Sequence, residues 1–283
     1  MVGIFNEILG RDVEVPESPK RIVSFSPAVT ETLFMLGLGD RLVGVSAFCA
    51  RPPEARSVRR VGSYDTVRPE LLEELAPDLV FAVTGYQRSF AVNLSKRHPT
   101  YPLELPVSVA GIADFALKVG LVAGAHERAR ELERELVRCS GGMEKVGPVR
   151  VYVELDLGGP VTFGAYSYIT DAVRLLGCSS LFDLERQEWL RPDLGRVEKE
   201  DPDAIIYEPK MFAQFGLNDF SALISDRGWE KLRAVRSGSS FFTPRPLDFL
   251  AHHGPSFIAE SLPWLRARLL EAREREGLES GKR

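Results

Sequence analysis

Short apolar segments alternate with amphipathic helical segments along this chain, and this alternation constrains the fold more than any other feature. The first apolar segment, residues 21–25 (RIVSF), is followed by Ser26 and Pro27, a pair typical of the start of a helix. Strands separated by helices in this way form parallel sheets covered by helices. Further predicted strands of this kind are 42–47 (LVGVSA), 78–83 (DLVFAV), 149–155 (VRVYVEL) and 203–207 (DAIIY). The pattern predicts the α/β class.

Two short sequence patterns occur once in each half of the chain. Residues 30–37 (TETLFMLG) match residues 170–177 (TDAVRLLG) in length and in the placement of apolar residues. A Pro-Asp pair precedes an apolar strand at Pro77 and again at Pro202. With 283 residues, the chain is long enough for two domains. We therefore predict two similarly built, Rossmann-like α/β lobes.

The most helical part of the sequence lies between these halves. Apolar residues recur at helical spacing through residues 112–122, and again after Gly124 as far as residue 139. We predict a stiff spine made of a single long helix that joins the lobes. A cleft between two lobes is a common place for a small-molecule site, so we expect the ligand there. The predicted parts are an N-terminal lobe at 1–111, the connecting helical spine at 112–142 and a C-terminal lobe at 143–283.

Composition and motifs exclude several functions. Lys and Arg number 36 against 40 Asp and Glu, a net charge of −4, whereas a general nucleic-acid binder presents a strongly basic face. The sequence contains no GxSxG nucleophile elbow, and its only Gly-Lys pair lies in the C-terminal tail, which excludes a P-loop. The three cysteines are far apart and form no metal-binding pair. We expect a monomeric binding protein rather than an enzyme, with no catalytic cofactor and no nucleic-acid partner.

Aromatic residues follow or flank the predicted strands in both halves. Ligands of open α/β sheets bind beside the carboxyl ends of the strands, and flat rings suit large planar molecules. The alternative is that these rings only cover the rim of the core. His252, which precedes a second histidine, is a further candidate contact, and the sequence assigns no metal site. The aromatic candidates are Phe48, Tyr64, Tyr86, Tyr166, Tyr168 and Trp189.

Motifs along most of the chain resemble those of one known family, in that family's order and spacing. In the first half they are 12–24 (DVEVPESPKRIVS), 26–31 (SPAVTE), 37–40 (GLGD), 43–45 (VGV) and 75–80 (LAPDLV). In the second half they are 228–229 (GW), 232–236 (LRAVR) and 254–255 (GP). The sequence thereby resembles the substrate-binding proteins of cobalamin, haem and iron-siderophore ABC importers. The resemblance implies two α/β lobes joined by one long helix, with a metal-chelate ligand between them and little domain closure.

The vitamin B12-binding members of this family are the most similar in the stretch between residues 26 and 70. Residue by residue, the resemblance assigns Phe48, Tyr64 and Trp189 to aromatic contacts with a corrin ring. It assigns Glu70 to the acid that docks one lobe onto an arginine pocket of the permease. The resemblance therefore implies two partners, a metal-chelate ligand and an ABC importer permease.

One departure from the family concerns the docking acid of the second lobe, which falls at Gly195. Asp193 or Glu198 replaces it if the alignment shifts. The departure favours a protein that carries its ligand in solution. The N-terminal residues also lack the basic and apolar regions of a signal peptide. This predicts a cytoplasmic protein if Met1 is the native start, whereas the resemblance implies a periplasmic or cell-surface one.

The resemblance leaves the ligand open, with cobalamin or another corrinoid as the first expectation. Haem is an alternative, because Tyr64 together with His252 or His253 suits its iron. Tetrapyrrole chelatases share a two-lobed α/β plan, so a chelatase-like enzyme is another alternative, although no acidic cluster in the sequence matches His252. An anionic ferric siderophore is the remaining alternative, and its cationic cluster would consist of Arg88, Arg191 and Arg245.

Overall fold

The computed structural model describes residues 1–244 and 247–280, and the chain divides into two compact units. The first unit consists of Met1–Pro106, Ala110–Arg138 and His253–Pro255. The second unit consists of Val107–Val109, Cys139–His252 and Ser256–Arg283. Each unit contains a sheet with parallel central strands, and helices connect the strands of that sheet. This architecture confirms the predicted α/β class.

The first unit begins with a short hairpin and continues with the alternating pattern. Its strands are β1 (Val2–Asn6), β2 (Arg11–Val15), β3 (Ile22–Ser24), β4 (Leu42–Ser46), β5 (Arg60–Gly62), β6 (Leu79–Val83) and β7 (Thr100–Leu103). Its helices are α1 (Pro27–Met35), α2 (Pro69–Leu75) and α3 (Arg88–Leu94), together with most of α4 (Val109–Val122) and α5 (His126–Gly141).

The main sheet of the first unit has the strand order β5-β4-β3-β6-β7, and all neighbouring strands in it are parallel. The chain starts in the central strand β3, adds β4 and β5 on one side, and then crosses to β6 and β7 on the other. This is the doubly wound order, and it aligns the carboxyl ends of all five strands along one edge. Its buried core includes Val23, Phe25, Val61, Leu72 and Val80.

The second unit carries a mixed sheet. Its strands are β8 (Arg150–Asp156), β9 (Pro160–Phe163), β10 (Ser179–Ser180), β11 (Trp189–Leu190), β12 (Ala204–Glu208) and β13 (Ser240–Phe242). Its helices are α6 (Tyr168–Leu175), α7 (Leu194–Glu200), α8 (Leu217–Asp226), α9 (Arg233–Arg236) and α10 (Leu262–Ser280).

The strand order of the second sheet is β11-β9-β8-β12-β13, with β10 also paired to β8. The strands β8, β10, β12 and β13 are parallel, as the alternating pattern predicts, whereas β9 and β11 are antiparallel to their neighbours. A tight turn produces this difference, because Asp156 Oδ1 accepts the N–H groups of Gly158 and Gly159, both at 2.9 Å. The sequence did not predict β9 and β11, since four and two residues are too few to show a period.

The repeated eight-residue patterns form equivalent helices in the two units. Ser26 caps α1 and Ser167 caps α6, and each hydroxyl accepts an N–H from the first turn of its helix. Each helix is followed by a glycine with left-handed backbone, Gly37 with φ +74° and Gly177 with φ +77°. A side chain is disfavoured at such angles, which explains why both patterns end in glycine.

The two Pro-Asp pairs are equivalent as well. Asp78, just before β6, accepts the N–H of Arg21 at 2.9 Å, and Asp203, just before β12, accepts the N–H of Arg150 at 2.8 Å. Each aspartate thereby joins the start of its strand to the neighbouring parallel strand. The two units therefore share local construction in two separate places.

The stretch predicted as a single long helix is corrected by the structure to two helices, α4 and α5. They meet at Gly124, whose φ of +76° is incompatible with a continuing helix. A Cβ at this position would lie 2.4 Å from the carbonyl oxygen of Glu17, so glycine is also required by close approach. The two helices then pack against each other, with Gly120 facing Ala129 so closely that a Cβ on the glycine would lie 2.4 Å from that of the alanine.

Candidate functional site

Two of the predicted aromatic residues lie side by side at the strand ends of the first unit. Phe48 follows β4 and Tyr64 follows the neighbouring strand β5. Their rings are stacked, with centroids 4.2 Å apart and planes inclined by 12°, and both are half-buried. Such a pair contributes about 0.5–1.5 kcal/mol beyond its area burial. The two rings therefore form one flat apolar surface beside the strand ends.

Backbone contacts hold this pair together. The N–H of Ala47 donates to Gly62 O at 2.8 Å and joins the loop of Phe48 to the end of β5. Tyr64 lies in a turn closed by a hydrogen bond from Ser63 N to Thr66 O at 3.0 Å. A Cβ on Gly62 would lie 2.0 Å from that same Thr66 oxygen, so this tight turn requires glycine. The loop chemistry thus fixes where the ring of Tyr64 lies.

Polar side chains fill the base of this edge of the sheet. The Ser46 hydroxyl and the Cys49 thiol are 3.2 Å apart, and Cys49 Sγ lies 3.8 Å from Ser24 O. Burial raises the pKa of the Cys49 thiol, so the group is a neutral hydrogen-bonding side chain. The buried Gln87 accepts from Val83 N at 3.2 Å, linking its side chain to the end of β6. Sequence reasoning missed Gln87, although its position just after a predicted strand was visible.

Tyr86 precedes Gln87 in a short 3₁₀ turn, Gly85–Gln87, at the end of β6. The backbone of Tyr86 therefore follows a strand, as predicted. Its side chain lies outside the described part of the structure, so its contact with a ligand stays a prediction.

The second unit presents a separate group of exposed rings. Tyr166 follows β9 and is 53% exposed, and Trp189 lies on β11 and is 40% exposed. β9, which precedes Tyr166, is paired with β11, and Trp189 lies opposite Phe163. The N–H of Tyr166 also donates to Gln187 O at 3.2 Å. The structure thus brings together the backbone segments that carry these two predicted residues.

Phe212 is another exposed ring of the second unit, and the sequence analysis missed it. It follows β12, is 54% exposed, and has a left-handed φ of +67°. For a bulky residue this backbone angle is strained, and such strain is concentrated at functional positions. The available signal was its place just after a predicted strand, the same criterion that selected the other rings.

Tyr168 and His252 are buried instead of lying at the rim. Tyr168 is 6% exposed, donates its hydroxyl to Leu250 O at 2.8 Å and packs edge-on against Phe257 at 5.0 Å. The expectation that Tyr168 is a rim aromatic is therefore corrected, because its helix position points it into the core. His252 is 3% exposed, and a role in ligand binding stays a prediction. The loop before it is held by Glu208, whose carboxylate accepts the N–H of Leu250.

The two positions assigned to permease docking are equivalent in the structure. Glu70 is exposed at the second residue of α2, and Gly195 is exposed at the second residue of α7. The neighbouring acids are engaged, since Asp193 accepts the N–H of Arg196 at 3.2 Å and Glu198 pairs with Lys231 at 2.8 Å. The second helix therefore carries no acid at the position equivalent to Glu70.

The candidate cationic cluster is only partly described. Arg88 lies at the start of α3 in the first unit and Arg191 follows β11 in the second, both exposed. Arg245 lies outside the described residues. In residues 1–244 and 247–280 no group of three or more His, Cys, Asp or Glu is placed to hold a metal ion. Within the same ranges, no helix has both the length and the apolar composition of a membrane span.

Comparison with known proteins gives consistent matches over most of the chain. A family model described as periplasmic binding protein matches residues 22–247. The vitamin B12-binding protein of Yersinia pseudotuberculosis serotype O:3 (strain YPIII) is 24% identical over 198 residues, which are 67% of this chain and 70% of that protein.

Solved structures are similar in fold. The periplasmic vitamin B12-binding protein of Vibrio cholerae superposes with a TM-score of 0.70 and 20% identity, covering 90% of this chain and 98% of that one. The periplasmic haem-binding protein of Roseiflexus sp. RS-1 in its apo form gives a TM-score of 0.73 and 20% identity, covering 89% and 98%. This chain belongs to the periplasmic binding protein family.

Proposed function

We propose that this chain is the substrate-binding component of an ABC importer and binds a large metal-chelate ligand, with a corrinoid such as cobalamin as the first candidate. The observation that carries the proposal is the presence in each unit of aromatic rings beside strand ends. These are the stacked pair of Phe48 and Tyr64 in one unit, and Tyr166, Trp189 and Phe212 in the other. Large flat apolar contacts of this kind suit a macrocyclic ligand better than a small polar one.

The test is titration calorimetry of the purified chain with cyanocobalamin, haemin and a panel of ferric siderophores. We expect one-to-one binding of cyanocobalamin without turnover. Tight binding of haemin alone, with a Soret band that shifts in Tyr64→Phe, would replace the corrinoid by haem. Conversion of a tetrapyrrole to a metallated product would contradict a non-catalytic function.

Replacing the predicted contact rings is expected to weaken ligand binding more than it destabilises the fold. Tyr64→Ala and Trp189→Ala each remove aromatic contact area worth roughly 1–3 kcal/mol, or about tenfold or more in affinity. Leu184→Ala is the matched control, because Leu184 lies close to Trp189 in the chain and is 79% exposed. Equal affinities for the Trp189→Ala and Leu184→Ala variants would contradict the assignment. The melting temperatures of these two variants should stay unchanged, because both side chains are exposed.

Docking to a permease is expected to depend on Glu70. In vesicles that contain the cognate permease, Glu70→Ala should abolish ligand uptake while leaving ligand affinity unchanged, because the exposed carboxylate contacts the partner only. Glu73→Ala is the matched control on the same helix, since Glu73 is also exposed. Gly195→Glu should raise uptake if the missing second acid limits docking. Uptake that is unaffected by Glu70→Ala would support a carrier that acts without a permease.

A further inference from the structure

The segment that leads into β11 is held by one arginine of α7. We call residues 181–188 the β11 segment. Arg196 Nη2 donates to Leu181 O at 2.7 Å, and Nη1 donates to the Glu185 carboxylate at 2.8 Å. The guanidinium carbon also lies 4.8 Å from the centre of the Phe182 ring. A single side chain therefore contacts the β11 segment at three of its residues.

The guanidinium is itself fixed in orientation. Arg196 Nε donates to Glu200 Oε1 at 2.7 Å on the same helix, and Glu200 also accepts from Arg150 of β8. The backbone N–H of Arg196 donates to the capping residue Asp193. Because each of its three guanidinium nitrogens donates to a defined partner, the arginine is a rigid connection between α7 and the β11 segment.

The β11 segment in turn positions the two exposed rings of the site. Ala165 N donates to Glu185 O at 2.7 Å, and Tyr166 N donates to Gln187 O at 3.2 Å. A Cβ on Gly164 would lie 2.5 Å from Glu185 O, which shows how closely the two stretches approach. The segment continues directly into Trp189. Both Tyr166 and Trp189 are thus attached to the backbone that Arg196 holds.

We propose that Arg196 is a positioning residue that holds Tyr166 and Trp189 in the arrangement needed for ligand binding, without touching the ligand. The inference rests on the proposed function, because it concerns the same aromatic contacts. Its physical basis is preorganisation: side chains ordered before binding lose less conformational freedom when the ligand arrives. We expect the contacts of Arg196 to affect ligand affinity and the local order of the β11 segment, and to affect the overall stability of the fold only weakly.

The first test needs no ligand. Amide hydrogen exchange of the full chain is compared for the wild type, Arg196→Met and Lys231→Met. Lys231→Met is the matched control, because it removes the exposed ion pair to Glu198 of α7 without touching the β11 segment. We expect the amides of Ala165 and Tyr166 to exchange at least about tenfold faster in Arg196→Met and unchanged in Lys231→Met. Unchanged exchange in Arg196→Met would overturn the proposal.

The second test is a double-mutant cycle with cyanocobalamin as the probe, or haemin if the wild type binds only that. Arg196→Met should weaken binding by about tenfold. In a Trp189→Ala background the same change should cost much less, because the ring it positions is gone. Equal losses in both backgrounds would contradict a positioning role. Arg196→Lys should restore part of the affinity through Glu185.

Controls separate this inference from the proposed function. If the wild type binds neither probe, the proposed function fails while the exchange experiment still decides whether Arg196 orders the segment. If Arg196→Met does not fold, Glu185→Met removes the contact between Glu185 and Arg196 from the other side and is judged by the same criteria.

Discussion

Arg227→Met is expected to lower the free energy of unfolding by about 3–5 kcal/mol. Arg227 donates to both oxygens of Glu154, at 2.8 and 2.7 Å, and the side chains are only 15% and 2% exposed. Tyr152 donates its hydroxyl to the same carboxylate, and the guanidinium also lies over the Trp229 ring at 4.7 Å. Removing the arginine leaves a buried carboxylate without its counter-charge. Urea denaturation followed by circular dichroism measures the loss.

Arg59→Met is the matched control for this prediction. Arg59 donates to both oxygens of Glu74 at 2.7 and 2.9 Å, so the geometry is the same, but both side chains are exposed. Exposed pairs contribute little, and we expect no measurable change in this variant. Similar stabilities of the Arg227→Met and Arg59→Met variants would show that burial does not matter here.

The protein is expected to lose stability as the pH rises from about 5 to about 8, and Glu208→Gln is expected to remove most of that loss. Burial raises the pKa of the Glu208 carboxyl from 4.5 to about 8, and the charge of Asp248 adds to the rise. Hydrogen bonds from the N–H groups of Phe249, Leu250 and Ala251 act in the opposite direction. Between these pH values the folded chain holds a proton that the unfolded chain has released. Stability therefore falls with pH across this window.

Denaturation curves at several pH values test this. Asp248→Asn should make the loss of stability end at a lower pH, because it removes the charge that adds to the rise in the pKa of Glu208. All variants are compared at pH 5, where their circular dichroism spectra should match that of the wild type. The same slope in the wild type and in Glu208→Gln would contradict the prediction.

Local sequence signals determined much of this protein. The apolar strands, the Ser26 cap and the glycines that end α1 and α6 are properties of a few adjacent residues, so their positions were predictable. The placement of Phe48 and Tyr64 followed as well, since parallel strands align their carboxyl ends. The ligand contacts assigned to these rings stay predictions.

Only the tertiary structure decided the features that depend on distant residues. The helix breaks at Gly124, where the Glu17 carbonyl approaches. Glu17 lies more than a hundred residues earlier in the chain, so no local signal predicts the contact. Arg227 and Glu154 are 73 residues apart in sequence but form one buried pair. Such contacts arise when whole helices and strands pack together. Periodicity and capping act only within a few turns of the chain. The sequence alone therefore determined the helices and strands but not the contacts between distant residues.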